Sequence, residues 1–325
     1  MVADPSNMDI KEAVPIPNTR VVVRDQEGLD RKKRAIRAAG PQRLQIVSDF
    51  DMTLTRFNVN GKKGQSCHSL LSQKNDQYNQ MRQDLYKHYY PLEIDQSIPY
   101  DKKVKLMEEW YEKSHATLLE GGLTLDEIRD SVANANVAFR EETAQLFELL
   151  DSKRVPVLIF SAGLADVLEE VLRQKLHRAF GNIRVVSNRM KFDEEGRLQS
   201  FVGSLIHSLN KNEHAIALAG PMHDEQGRVL DDLEHREPSD GSTEPAIDGL
   251  DGRSVVAGRN NVILLGDHLG DLGMSRGVDV DEQISIAFLN DKVEENLEVF
   301  ASSFDVVLIG DGSMKEVITI VEDIL

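Results

Sequence analysis

Leu44-Gln45-Ile46-Val47-Ser48 runs directly into Asp49-Phe50-Asp51-Met52-Thr53-Leu54-Thr55. The first five residues form an apolar run that is too short for a buried helix and has the length of a buried strand. Asp49 and Asp51, two positions apart at the strand end, can both lean into one crevice while Phe50 turns back to the core. Such a pair suits a nucleophile and a general acid/base, with a divalent cation keeping the first carboxylate ionised. A bare Asp-x-Asp does not separate this from a polar turn after a strand. The full run with Thr53, placed behind a buried strand, is much more specific.

Working outward, the same pattern recurs. Val155-Pro156-Val157-Leu158-Ile159-Phe160 is a second buried strand, running into Ser161-Ala162-Gly163 and a helix that carries Leu164, Val167, Leu168, Val171 and Leu172. Residues 183–186, 261–265, 284–288 and 305–309 supply further strands, and the 261–265 run ends at Gly266-Asp267. Between the first two strands the texture changes. Residues 69–150 are rich in helix formers, with Leu106, Trp110, Leu118 and Leu119 in one helix and Ile128, Val132, Val137 and Phe139 in the next. Pro99 suits the first turn of the former and Gly121-Gly122 its end. Thr124 with Glu127 makes a capping box for the latter. Strands alternating with helices predict an α/β protein with a parallel, doubly wound, Rossmann-like core over 19–56 and 151–325, interrupted by an all-helical insertion over 57–150. Ligands bind such sheets at the carboxyl ends of the strands.

The other candidate residues sit at those ends. Asp267 and Asp271, in Gly266-Asp267-His268-Leu269-Gly270-Asp271, are hard oxygen ligands of the kind Mg²⁺ takes. Alone, the stretch reads more readily as a glycine-rich turn capped by aspartates; two acidic strand ends in one chain of this topology shift the reading toward a metal site. Ser161 offers a hydroxyl, and the Ala162-Gly163 backbone and helix start attract phosphate; a plain N-cap serine is the simpler reading. Lys211 can supply a fixed positive charge to phosphoryl oxygens, although a lone lysine is ordinarily a surface residue. Cys67-His68 lacks partners at zinc spacing and reads as packing, as do Trp110-Tyr111 and Tyr89-Tyr90. On composition alone Glu93 and Ser114 are anonymous helix-surface positions.

The 325 residues carry 55 acids against 38 lysines and arginines, a formal net charge of −17, with 40 % hydrophobic residues. This balance excludes wholesale disorder and argues against nucleic-acid and membrane-surface binding. It leaves room for a small phosphorylated substrate when a cation mediates. Residues 221–254 hold ten acids and three arginines, a net −7 that predicts a loosely ordered acidic insertion. Residues 1–18, with three prolines, read as a disordered tail. The single cysteine, Cys67, rules out an internal disulfide framework. With no membrane span and no signal-peptide pattern, the expectation is a soluble, cytoplasmic monomer.

Taken in order, these pieces resemble the haloacid-dehalogenase-like (HAD) phosphatases. The match narrows to the cytosolic pyrimidine 5′-nucleotidase family, type III, which includes enzymes acting on 7-methylguanosine monophosphate. It is carried by 49–55, Glu93-Ile94-Asp95, 109–115, 159–163, 166–171, 185–188, Leu205-Ile206-His207, Asn210-Lys211, Gly266-Asp267 and Gly270-Asp271. The resemblance implies a Mg²⁺-dependent 5′-nucleotidase that acts on nucleoside 5′-monophosphates such as CMP, UMP or 7-methyl-GMP. It implies Asp49 as the nucleophile that becomes an aspartyl-phosphate, and Asp51 as the acid and then the base. Asp49, the Asp51 carbonyl and Asp267 would hold the metal, with Asp271 orienting its waters. Thr53, Ser161, Ala162 and Lys211 would bind the phosphoryl group. The helical insertion would cap the site, with Glu93 and Ser114 at the nucleobase. His268-Leu269 departs from the Ser-Gln usual in relatives, which bears on the metal shell, and the acidic insertion is longer than the family requires. A phosphoserine-type phosphatase, a nucleoside phosphotransferase and a non-catalytic scaffold are the alternatives.

Overall fold

The computed structural model describes residues 20–95, 97–211, 258–276 and 280–325. The predicted tail and acidic insertion lie outside the described residues.

An eight-stranded sheet organises the chain, in the order β1-β10-β9-β8-β2-β5-β6-β7. Its strands are β1 (Arg20–Val22), β2 (Leu44–Ser48), β5 (Val157–Leu164), β6 (Ile183–Phe192), β7 (Leu198–Val202), β8 (Asn261–Gly266), β9 (Glu282–Leu289) and β10 (Val306–Ile309). The six strands from β10 to β6 are mutually parallel. The outermost strands are not, so the sheet is mixed: β1 runs antiparallel to β10 and β7 antiparallel to β6. Neither edge strand was visible as a strand in the sequence. Both are half-exposed and lack the unbroken apolar run of a strand covered on both faces.

The central strands β2, β5 and β8 are buried along their full length. Alternate residues feed two cores. Leu44, Ile46, Ile159, Ile263 and Leu265 join one face; Val47, Leu158, Phe160, Val262 and Leu264 join the other. This is the period of two that a pleated strand imposes. Helices α1 (Gln26–Ala39), α7 (Ala165–Leu176) and α9 (Lys315–Ile324) cover the first face, and α8 (Val293–Ser303) the second.

Between β2 and β5 lie a small hairpin, β3 (Asn58–Val59) with β4 (Lys62–Lys63), and helices α2 (Cys67–Leu70), α3 (Asp76–Ile94), α4 (Tyr100–Glu120), α5 (Leu125–Asn134) and α6 (Thr143–Ser152). Pro99 caps α4 and Gly121 ends it. The Thr124–Glu127 capping box on α5 is present, with both reciprocal bonds. Val137 and Phe139, expected in that helix, lie beyond its end: Phe139 bridges to Thr55 and packs edge-on against Phe50. α6 turns Leu146, Phe147 and Leu150 into the main core. Leu164, expected in a helix, is the last residue of β5.

Candidate active site

β2 is flanked by β8 on one side and β5 on the other, and its carboxyl end opens a crevice there. Asp49 follows its last residue. Phe50 turns into the core and is fully buried. Met52 then takes φ = +63°, a left-handed conformation that branched or long side chains avoid. Its N–H donates to Thr55 Oγ1 at 2.9 Å, which closes a tight turn between Asp51 and Thr53.

Arg140 holds this turn. Its guanidinium is buried, and all five N–H donors are used: Thr53 O at 2.7 Å, Met52 O at 2.7 Å, Asn290 Oδ1 at 2.7 Å, Gly312 O at 2.9 Å and Asp311 Oδ1 at 3.2 Å. Asn290 adds a second donor to Met52 O at 3.0 Å. The guanidinium also lies 4.1 Å from the Phe288 ring. Burial lowers its pKa to about 10, against the opposing charge of Asp311. No local pattern marks Arg140 or Asn290, because their partners lie far away in the chain and most are backbone carbonyls.

Lys211 arrives from the loop after β7. Its Nζ lies 2.5 Å from Asp49 Oδ1 and 3.0 Å from Asp271 Oδ1. Far from being a surface lysine, it is buried. Burial opposes its charge, yet Asp271 and Asp49 together hold it above the ordinary lysine range. Asp271 turns its other oxygen to the N–H groups of Asp267 and His268. This close turn requires Gly266, where a Cβ would stand 2.6 Å from Asp271 Cβ. His268 is exposed and accepts from Gly270 N–H through Nδ1, so the unusual residue shapes the turn.

Asp49, Asp267 and Asp271 bring ligand atoms within 4.8 Å of one another. Burial, then Asp49 and Asp271, push Asp267 well above the carboxylate range. Burial also raises Asp49, against Lys211. Three crowded carboxylates and one ammonium leave excess negative charge, and the donor set is all oxygen. That set fits a hard divalent cation.

Asp51 is pushed up to about 7, first by burial and then by the charge of Asp49. The backbone N–H of Cys67 donates to both its oxygens, at 3.0 and 3.2 Å. Cys67-His68, read as packing, therefore touches the site through its backbone. His68 is neutral: burial lowers it to about 4.

At the end of β5, residues 161–163 slip out of register with β6. Ser161 is not an N-cap; its Oγ accepts from Gly163 N–H at 3.0 Å, and α7 starts at Ala165. Asn188 pins the bulge, donating to Ala162 O and Gly163 O at 3.0 Å each and to Ile206 O at 2.8 Å. Thr53 Oγ1 is buried with no hydrogen-bond partner among the described residues.

On the helical side, Glu93 Oε1 accepts from Ser208 Oγ at 2.5 Å. Trp110 stacks on Tyr89 at 5.9 Å, as packing residues do. Tyr111 packs edge-on against Trp110 with centroids 5.7 Å apart and lies beside the rings of His68, His115 and His207. Burial raises its hydroxyl pKa, with the charge of Glu93 adding to the rise and Lys211 opposing it. Ser114 stands three residues on, on the same face of α4, and is half-buried with no hydrogen bond linking it to the other candidates. Among the described residues no helix is long and apolar enough to cross a membrane.

A family model described as pyrimidine 5′-nucleotidase (UMPH-1) matches residues 52–325. The 7-methylguanosine phosphate-specific 5′-nucleotidase A of Xenopus laevis is 38 % identical over 303 residues, covering 91 % of this chain and 93 % of that protein. The 7-methylguanosine phosphate-specific 5′-nucleotidase of Homo sapiens is 38 % identical over 295 residues, covering 90 % and 88 %. Among solved structures, cytosolic 5′-nucleotidase IIIB bound to cytidine superposes with a TM-score of 0.76 at 28 % identity, covering 94 % of this chain and 93 % of that one.

Proposed function

The chain belongs to the pyrimidine 5′-nucleotidase family, and we propose on that footing that it hydrolyses nucleoside 5′-monophosphates, 7-methyl-GMP or the pyrimidine nucleotides CMP and UMP, through a phosphorylated Asp49. The observation that carries this reading is the convergence of Asp49, Asp51, Lys211, Asp267 and Asp271 at the carboxyl ends of the central strands.

In this reading Asp49 attacks phosphorus, and the bond to the nucleoside 5′-oxygen breaks. Asp51, with its pKa near 7, holds a proton for the departing oxygen at neutral pH. It then takes a proton from the water that attacks the aspartyl-phosphate, which releases phosphate and restores Asp49. Lys211 stays charged and meets the phosphoryl oxygens. Ser161, the Ala162 backbone and the Thr53 hydroxyl complete the phosphate cradle. Mg²⁺, held by Asp49, the Asp51 carbonyl and Asp267 beside Asp271, would offset the charge of the phosphoryl group and keep Asp49 ionised as a nucleophile. The helical segment between β2 and β5 serves as the cap, with Glu93 and Ser114 facing the base. A carboxylate at that position accepts from exocyclic amino groups and balances the positive charge of a methylated guanine. The cytosolic name of the superposable structure supports a cytoplasmic location.

Phosphate release from CMP, UMP and 7-methyl-GMP with Mg²⁺ tests the proposal, and no release from any of the three overturns it. Asp49→Asn is expected to abolish turnover while leaving the circular dichroism spectrum unchanged. A fully active variant would mean the nucleophile lies elsewhere.

A further inference from the structure

The groups read above as phosphate ligands come from two separate elements. Ser161 and Ala162 sit in the bulge of β5, where residues 161–163 leave the register with β6. Lys211 ends the loop over 205–211, which Asn210 stiffens by donating to Leu205 O at 2.8 Å and accepting from His207 N–H at 2.7 Å. Asn188, on β6, spans the two. Its buried amide donates to Ala162 O and Gly163 O at 3.0 Å each and to Ile206 O at 2.8 Å, and its Oδ1 accepts from Ile206 N–H at 2.9 Å. Among the described residues no hydrogen bond joins 161–163 to 205–211 directly, so this one side chain carries the polar link between them. The bulge takes two buried carbonyls out of the sheet ladder, and they need a donor. Donors alone would satisfy them. The pair of bonds to Ile206, one in each direction, does more: it fixes where the Lys211 loop stands against the bulge.

We propose that Asn188 is a positioning residue that sets the spacing between the two halves of the phosphate cradle, Ser161 and Ala162 on one side and Lys211 on the other, without touching the substrate. This rests on the reading of those groups as the phosphate ligands. A primary amide suits the task because it is uncharged and offers two N–H donors beside an acceptor. The spacing matters most during transfer. A bound nucleotide is also held through its nucleoside, so a cradle slightly too wide changes its binding little. The phosphoryl group in transfer spreads its charge over three equatorial oxygens, which both halves must meet at once, and the same widening is then felt in the rate.

The test compares wild type, Asn188→Ala and Asn188→Ser with Mg²⁺, on whichever of CMP, UMP and 7-methyl-GMP the wild type hydrolyses. Three constants are read: kcat and KM, inhibition by orthovanadate, which takes the five-coordinate geometry of the transferring phosphoryl group, and inhibition by the product nucleoside. Asn188→Ala is expected to lower kcat on the order of 10²-fold, the scale of a misplaced catalytic group, with KM within about threefold of wild type. Orthovanadate should bind about tenfold more weakly, and the product nucleoside should bind as in wild type. Asn188→Ser, whose shorter side chain cannot span both elements, should show the same split in milder form, and it decides the matter if the alanine variant does not fold. Suppose the folded variants show only a lower denaturant midpoint, with kcat and orthovanadate inhibition within about twofold of wild type, or a raised KM at unchanged kcat. Asn188 is then merely structural and the inference is overturned, while the reading of the phosphate ligands stands. If orthovanadate does not compete with the nucleotide in wild type, that reading itself fails, and the inference falls with it.

Discussion

Arg140 donates to the carbonyl oxygen of Met52 at 2.7 Å, from a segment 88 residues later in the chain, and so fixes a left-handed turn immediately after Asp51. A non-glycine residue with positive φ persists only where its surroundings over-determine it. Here the surroundings are one guanidinium and the Asn290 amide. Arg140→Lys keeps a charge but cannot reproduce the five-donor fork. The variant is expected to lose about 3 kcal/mol of stability, the scale on which buried ion-paired networks fail, read as a lower denaturant midpoint. Its kcat should fall more than its KM rises, since the turn carries Asp49 and Asp51. An unchanged kcat would separate the turn from the chemistry.

Gly266 admits no side chain. Its Cβ would stand 2.6 Å from Asp271 Cβ and 2.7 Å from Asp271 Oδ2. Gly266→Ala should push Asp271 away from Lys211 and from the Asp267 and His268 amides. A displacement of this kind costs on the order of 10²-fold in kcat. Steady-state kinetics at saturating Mg²⁺ would measure it, and wild-type kcat would contradict the steric argument.

The crowded carboxylates Asp49, Asp267 and Asp271 oppose one another in the fold, so a bound divalent cation should stabilise it. At Mg²⁺ well above its dissociation constant, the melting temperature is expected to rise by roughly 5–10 °C, and EDTA should reverse the rise. Asp267→Asn should erase the dependence. A melting curve insensitive to Mg²⁺ in the wild type would contradict the assignment of this cluster.

Buried histidines make the fold sensitive to acid. His115 stacks on Phe201 with centroids 3.8 Å apart, and its Nε2 is buried without a hydrogen-bond partner among the described residues. Burial, with a smaller contribution from His68, lowers it to about 3. The folded value lies below the unfolded one near 6.5, so the unfolded chain binds the extra proton. The neutral ring's contribution is complete above pH 6.5 and is lost as pH falls toward the folded value. That amounts to about 2 kcal/mol by pH 5. His115→Phe should be distinctly less destabilised than wild type between pH 6.5 and 5 in chemical denaturation. Parallel curves for the two proteins would show that His115 is charged in the fold.

Much of this protein was legible in its sequence. The apolar runs of β2, β5 and β8 announce themselves because central strands are covered on both faces, and Asp49 and Asp267, which follow β2 and β8, fall at strand ends by position alone, whereas Ser161 opens a bulge inside β5. The capping box of α5 is a local motif and was readable as one. What only the tertiary structure decided is how these ends meet. Arg140 on Met52, Asn188 on the β5 bulge, Ser208 on Glu93 and Lys211 between Asp49 and Asp271 are long-range hydrogen bonds, several of them to backbone atoms. Such bonds follow no helical or strand period and ask nothing of the residue types beside them. The edge strands β1 and β7 escaped for a related reason: a half-exposed strand is defined by its neighbour's backbone, not by its own apolar content.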